Sequence, residues 1–88
     1  MMEKNNLVIL STAHLHPLEA AKIDEYAYVA NKECALVSTA PEMRDLYYGG
    51  GLVCLCDLLK EMKEKHNADY VLFDPDANTT DGIKEYEW

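Results

Sequence analysis

The chain has 88 residues, which is enough for one domain with one small core and burial of about 60% of the unfolded surface. Hydrophobic residues make up 49% of it, which excludes an intrinsically disordered chain. The net charge of −8 at pH 7 argues against direct binding to nucleic acid or anionic membranes, because both need clustered lysine and arginine.

No membrane span or export signal is predicted. The longest apolar runs have four or five residues, whereas a transmembrane helix needs about 20. The N-terminal sequence MMEKNNLVIL lacks the long apolar stretch and small-residue cleavage site of a signal peptide. We therefore expect a cytoplasmic protein whose three cysteines stay reduced.

The first two elements are a strand and a helix. Residues 6–12, NLVILST, are apolar and rich in β-formers, which predicts a buried strand. Pro17 suits the first position of a helix and Glu19 its first turn. The sequence PLEAAKIDEYA then predicts a helix over residues 17–27, with one apolar face formed by Ala20, Ile23 and Ala27.

The middle of the chain permits two structures. Residues 28–30 either extend the first helix or pair with residues 34–39 in a hairpin, and CALVST favours a strand in both cases. Residues 41–51, PEMRDLYYGGG, predict a loop with at most one helical turn, because three consecutive glycines make the backbone pliable.

The strongest helical pattern covers residues 52–67. Its apolar residues recur at helical spacing: Leu52, Leu55, Cys56, Leu59 and Met62. A strand over residues 68–74 and a final strand over 83–88 follow. The order β-α-β(-β)-α-β-β predicts a single α/β or α+β domain spanning residues 1–88, with two helices on a sheet of three to five strands. With the hairpin, the arrangement is ferredoxin-like.

Acidic residues concentrate at the C-terminus. Residues 69–88 contain six of the sixteen acids and one of the eight bases. Aromatic side chains beside charge are favoured at protein interfaces. This segment therefore predicts a surface for a basic protein partner, formed by Asp74, Asp76, Asp81, Glu85, Tyr86, Glu87 and Trp88.

Two other interpretations of this acidic segment are weaker. Its carboxylates resemble a calcium loop in spacing, but Thr79 occupies the position that needs glycine, and the flanks are strand-like. VLFDPDAN resembles the strand-end DxD of haloacid dehalogenase phosphatases, but only twelve residues follow Asp76, too few to supply the other catalytic groups. We therefore predict no enzymatic activity and no cofactor.

A second candidate site lies at the turn after the first strand. Ligands favour the carboxyl ends of strands in α/β sheets. The polar side chains there predict a small ligand- or metal-binding site as the alternative function, formed by Ser11, Thr12, His14 and His16. Cys54 and Cys56 do not contribute jointly, because two helical steps point their sulfurs apart.

The two ends of the chain resemble a small bacterial family classed as a domain of unknown function. The matching residues are Ser11, Thr12, Ala13 and His14 after the first strand, and Asp74, Asp76, Gly82, Ile83, Tyr86, Glu87 and Trp88 at the other end. The central strand departs, because CALVST stands where the family often has Trp-Phe-Val. The resemblance implies a protein carried by mobile genetic elements, often near antirestriction genes, with no established activity.

Charge and resemblance together predict a non-enzymatic, anti-defence interaction protein. Its carboxylates would stand where phosphates bind on a basic nucleic-acid-handling protein, such as a restriction or CRISPR effector, and so inhibit it. A homodimer built on an edge strand is a further alternative.

Overall fold

A computed structural model describes residues 6–23, 25–27, 29–31 and 34–86. These residues form a four-stranded sheet with the order β1-β4-β3-β2. β1 pairs parallel with β4, whereas β3 pairs antiparallel with both β4 and β2. The strands are β1 (Leu7–Ser11), β2 (Val29–Asn31), β3 (Cys34–Ser38) and β4 (Tyr70–Asp74).

Three α-helices and one 3-10 helix complete the described part of the fold. The 3-10 helix, Thr12–His14, follows β1 directly, and the Ser11 hydroxyl caps it by accepting a hydrogen bond from the Ala13 N–H. The α-helices are α1 (Pro17–Ile23), α2 (Pro41–Gly49) and α3 (Val53–His66). The predicted class, a small α/β or α+β domain, is confirmed as α+β, and the predicted chain order fits roughly.

The core lies between one face of the sheet and the helices. Side chains alternate along the strands, so that Leu10, Val71 and Phe73 are buried while Leu7 and Ile9 are more than half exposed. The α3 stripe predicted from helical spacing packs on this face. It contributes Leu55, Cys56, Leu59 and Met62 to the core.

The loop prediction for residues 41–51 was wrong. Residues 41–49 form α2, which begins with Pro41 at its first turn and buries Tyr47 completely. Gly50 ends the helix, and Gly51 adopts a φ of 90°, a left-handed conformation that suits glycine. The glycines therefore separate two packed helices. Met43 packs against the core one turn before Tyr47, so the segment does carry a helical pattern, and the glycines were given too much weight in the loop prediction.

Of the two structures considered for residues 28–39, the hairpin is present. Val29 pairs with Leu36 and Asn31 with Cys34, while α1 ends at Ile23. The connecting residues 32 and 33 are outside the described residues. The fold is not ferredoxin-like, because β1 and β4 are parallel neighbours, whereas neighbouring strands in a ferredoxin-like sheet are antiparallel.

The predicted final strand is absent from its described part. Residues 83–86 contain no strand, and they lie over the turn that follows β1. The predicted homodimer would need an exposed edge strand. β1 is at an edge of the sheet, and its Leu7 and Ile9 side chains are exposed. The homodimer stays a prediction. Across the described part of the chain, no helix combines the length and apolarity needed to cross a bilayer.

Asp69 joins the start of β1 to the end of α3 and gives the fold a testable pH dependence. Its carboxylate accepts a hydrogen bond from the Asn6 N–H at 2.9 Å and pairs with Lys63 at 3.0 Å. These two contacts, the first more than the second, lower the pKa of Asp69. The carboxylate thus stabilises the fold fully above the ordinary aspartate pKa of about 3.9, and the contribution is lost as pH falls from there through the lowered pKa.

We therefore expect Asp69→Asn to lose less stability than the parent between pH 5 and pH 2. Urea unfolding at both pH values measures the difference, and Asp45→Asn, an exposed carboxylate on α2, serves as the control. An equal pH dependence in the parent and Asp69→Asn would contradict this role.

Candidate functional site

The acidic C-terminal segment is an irregular strap that crosses the molecule after β4. We call residues 75–86 the strap; they contain turns but no helix or strand. The Asp74 carboxylate begins it by accepting a hydrogen bond from the Asp76 N–H at 2.9 Å. A second turn is centred near Gly82, whose φ is 85°.

His14 is the main polar anchor of the strap. Its ring is buried, with 3% exposure. Nε2 accepts a hydrogen bond from the Thr80 N–H at 2.8 Å, so this nitrogen carries no proton. Nδ1 therefore carries the proton of the neutral ring and donates it to the Lys84 carbonyl at 3.0 Å. One side chain thus satisfies two strap backbone groups and fixes its own tautomer.

Tyr86 forms the second anchor. Its N–H donates to the Ala13 carbonyl at 2.8 Å, and its ring meets His16 edge to face with centroids 5.1 Å apart. The Lys84 ammonium lies 4.9 Å from the centre of the same ring. The predicted partner residue Tyr86 is therefore half-buried and part of the attachment, rather than a free surface aromatic.

Beneath Tyr86 lies a polar junction between α1, α3 and the strap. Glu19 is buried, and its carboxylate accepts hydrogen bonds from the N–H groups of Cys54 and Leu55 at 2.9 and 2.8 Å. Glu19 and Tyr86 both lie close to the Cys54 side chain. Because α3 has no capping side chain of its own at Leu52, Glu19 supplies the cap from another helix.

Burial raises the pKa of the Cys54 thiol, and Glu19 raises it further through its hydrogen bond and its charge. Burial also raises the pKa of the Tyr86 hydroxyl, and the bond to Cys54 adds to the effect. Burial likewise raises the pKa of Cys56. These environments disfavour the thiolate that cysteine nucleophiles and metal ligands require.

An open cleft of about 450 Å³ separates the strap from α3. A second face of α3, beside the one that packs on the core, forms one wall of the cleft. Its residues recur at helical spacing: Cys54, Asp57, Leu58 and Glu61. The strap side and the floor are formed by His14, Gly82, Ile83, Lys84 and Tyr86. Asp57 and Glu61 of α3 therefore face the strap across the cleft, and the charged strap residue that lines it is Lys84.

The predicted partner residues are distributed along the strap. Asp76, Asp81 and Glu85 are exposed, and Asp74 is partly buried at the end of β4. The two ion pairs among the described residues, Lys63–Asp69 and Lys65–Glu61, involve none of these four. The predicted residues Glu87 and Trp88 are outside the described residues.

The four residues of the alternative site lie together at the turn after β1, but their polar groups make hydrogen bonds within the chain. Ser11 caps the 3-10 helix, and both ring nitrogens of His14 hold the strap. Nδ1 of His16 accepts the Leu18 N–H at 3.1 Å. Thr12 accepts the Leu15 N–H through its carbonyl. Within the described ranges, no group of three or more histidine, cysteine, aspartate or glutamate side chains is arranged to hold a metal ion.

Sequence reasoning missed three acidic residues of this region. Asp57 and Glu61 share a helix face with Cys54 and Leu58, a spacing that was visible in the sequence. Without knowing where the strap lies, that face could not be distinguished from an ordinary solvated one. Glu19 was predicted only to favour the first turn of its own helix, because its bonds to α3 span 35 and 36 positions.

Comparison with known proteins identifies a family without an assigned activity. No curated protein and no solved structure is significantly similar to the chain. The profile of a family of unknown function, DUF5983, C-terminal domain, matches residues 7–88. This match covers β1 through the strap, including the His14 turn and the α3 face of the cleft. The chain therefore belongs to the DUF5983 family, and it matches the C-terminal domain of that family.

Proposed function

We propose that the chain is a non-enzymatic acidic binding protein that docks against the basic surface of a nucleic-acid-handling protein. The observation that carries this proposal is the placement of the acidic strap. The strap backbone is held on the fold by His14, and Asp76, Asp81 and Glu85 along it are exposed. Asp57 and Glu61 of α3 line the cleft that the strap borders. A basic surface would meet carboxylates from two elements at once.

The attachment of the strap favours such a display. An unattached acidic tail would lose conformational freedom on binding, at a cost of about 0.5–1.5 kcal/mol for each immobilised flexible side chain in addition to the backbone term. Here, hydrogen bonds from Thr80, His14 and Tyr86 already order the strap backbone. The ordering cost is therefore smaller when the partner arrives.

The charge distribution supports electrostatic capture. Residues 69–88 carry six acids and one base, and the Lys84 ammonium is directed over Tyr86. A field of one sign accelerates association with a basic partner and makes the rate depend on salt. The thiols with raised pKa values support a binding role rather than cysteine catalysis.

The more specific part of the proposal concerns the target. The resemblance described from the sequence connects the chain to mobile genetic elements and antirestriction genes. On that basis we propose that the partner is a restriction or CRISPR effector in the cytoplasm. The strap carboxylates would occupy positions in the effector that bind nucleic acid phosphates.

We test the proposal by competition with labelled DNA on a panel of purified restriction endonucleases and CRISPR effectors. The parent is expected to displace DNA from at least one effector, and less effectively as salt rises. The combined variant Asp76→Asn, Asp81→Asn, Glu85→Gln should inhibit about tenfold less, since each rim contact contributes about 0.2–1 kcal/mol.

The matched control removes the same number of exposed carboxylates elsewhere, as Glu25→Gln, Glu42→Gln, Asp45→Asn. It should inhibit like the parent. Displacement from no effector at low salt would overturn the choice of target. Equal losses in the two combined variants would show that only net charge matters, and would overturn the strap as the contact surface.

A second candidate is a small-ligand site in the cleft. Its volume of about 450 Å³ is within the range of about 300–1,000 Å³ typical of ligand pockets, and His14 of the alternative site lines it. A thermal-shift screen of metabolites and divalent metals tests this candidate. A ligand that stabilises the parent but not Leu58→Glu would favour it.

A further inference from the structure

We infer that the strap detaches from and returns to the rest of the fold, which we call the body, as one unit. The hydrogen bonds of His14 to Thr80 and Lys84 hold it in the closed position. The contacts of the strap differ in kind from those of the sheet. β4 is paired on both sides, with β1 and with β3. The strap begins after these pairings end, so its release breaks no hydrogen bond of the sheet.

The backbone attachments of the strap converge on one short stretch of the body. Thr80 and Lys84 bond opposite nitrogens of the His14 ring, and Tyr86 bonds the carbonyl of Ala13. These three strap residues thus depend on two adjacent body residues. Because both hydrogen bonds are made by one rigid ring, a movement of the ring that breaks the bond to Thr80 also distorts the bond to Lys84.

The side-chain contacts make opening consequential. Tyr86 lies close to the Cys54 side chain and meets the His16 ring edge to face, and Ile83 packs against the core. Opening exposes the buried His14 ring and increases the exposure of Cys54 and Leu58 on the cleft wall of α3. It also changes the position of the strap carboxylates relative to α3. The strap thereby controls whether the two acidic groups act together on a partner, a consequence that rests on the proposed function.

Local opening should require less free energy than unfolding of the body. Segments with few buried apolar contacts open below the global unfolding free energy, whereas core strands open near it. The strap contributes one partly buried apolar residue to the core, Ile83, whereas β4 contributes fully buried Val71 and Phe73. The two parts should therefore exchange their amide hydrogens by different openings.

Native-state amide exchange, followed by NMR over a series of low urea concentrations, tests this in the parent protein. The Thr80 and Tyr86 amides should exchange with the same shallow urea dependence. They should exchange at least about a hundredfold faster than the Val71 and Phe73 amides, relative to unstructured peptides. Strap amides with the same slope as the β4 amides would mean that the strap opens only with the whole fold, which would overturn the inference.

Two substitutions of His14 test whether the strap moves as a unit. His14→Asn keeps a donor near the Nδ1 position for Lys84 but removes the acceptor of Thr80. His14→Gln keeps an acceptor near the Nε2 position for Thr80 but removes the donor to Lys84. Each should accelerate exchange at both Thr80 and Tyr86 by a similar factor, about tenfold, as expected for losing one hydrogen bond of about 1.4 kcal/mol.

Independent contacts would give a different pattern. Acceleration of Thr80 alone in His14→Asn, with an unchanged Thr80 in His14→Gln, would overturn the inference. The exposed His66 on α3 provides the control, since His66→Asn should leave both strap amides unchanged. None of these measurements needs a partner, so a strap that fails them can be distinguished from a binding proposal that fails in the DNA competition.

Discussion

Replacing Tyr47 with alanine is expected to lower the free energy of unfolding by about 3–5 kcal/mol, the range for truncating a large buried aromatic side chain. The ring is fully buried in the core, and Tyr26 packs on it edge to face with centroids 6.2 Å apart. The hydroxyl accepts the Ser38 N–H of β3 at 3.2 Å. The residue thus fixes α2 to the sheet by packing and by a hydrogen bond.

Urea unfolding measured by circular dichroism tests this prediction. The neighbouring residue gives a matched control, because Tyr48 is on the same helix but 63% exposed. Tyr48→Ala should change the free energy by no more than about 0.5 kcal/mol. Tyr47→Phe should lose about 1–3 kcal/mol, because it leaves a buried N–H of β3 without this acceptor. Similar losses for Tyr47→Ala and Tyr48→Ala would contradict the placement of α2.

Replacing Glu19 with alanine is expected to lower the free energy of unfolding by about 2–4 kcal/mol. A hydrogen bond to a charged group contributes about 1.5–3 kcal/mol, and the Glu19 carboxylate accepts two N–H groups of the first turn of α3. Its negative charge also interacts favourably with the positive end of the helix dipole. Glu19→Gln keeps one acceptor and should lose about half as much.

The same urea experiment, with amide exchange at Cys54 and Leu55, tests this role. Both amides should exchange faster in Glu19→Ala, because they lose their acceptor. Glu25→Ala, at an exposed position after α1, is the control and should resemble the parent. A loss below about 0.5 kcal/mol in Glu19→Ala would show that water replaces the carboxylate at little cost, and would contradict the cap.

Local sequence patterns predicted the elements that have strong periodicity. α3 was predicted over residues 52–67 and occupies Val53–His66, and the strand predicted over 68–74 occupies Tyr70–Asp74. α2 was missed although Met43 and Tyr47, four positions apart, both pack on the core, because the three glycines that follow favoured a loop.

The site was less predictable than the fold, because its contacts join distant parts of the chain. His14 was recognised as a candidate for a ligand site, yet it bonds Thr80 and Lys84, which are 66 and 70 positions away. Glu19 was assigned to its own helix and caps another. Sequence patterns identified polar residues that matter, whereas their partners depend on how the strap crosses the body.

The pairing of β1 with β4 has a consequence for how the protein is synthesised. Leu7 pairs with Tyr70, and nearby Asn6 and Asp69 bond across 63 positions. During translation, the first strand must wait for its neighbour until residue 74 has left the ribosome. Such a non-local contact requires closure of a long loop, which slows folding. Until then, the apolar β1 sequence is exposed, and we expect nascent chains truncated before β4 to bind chaperones or aggregate.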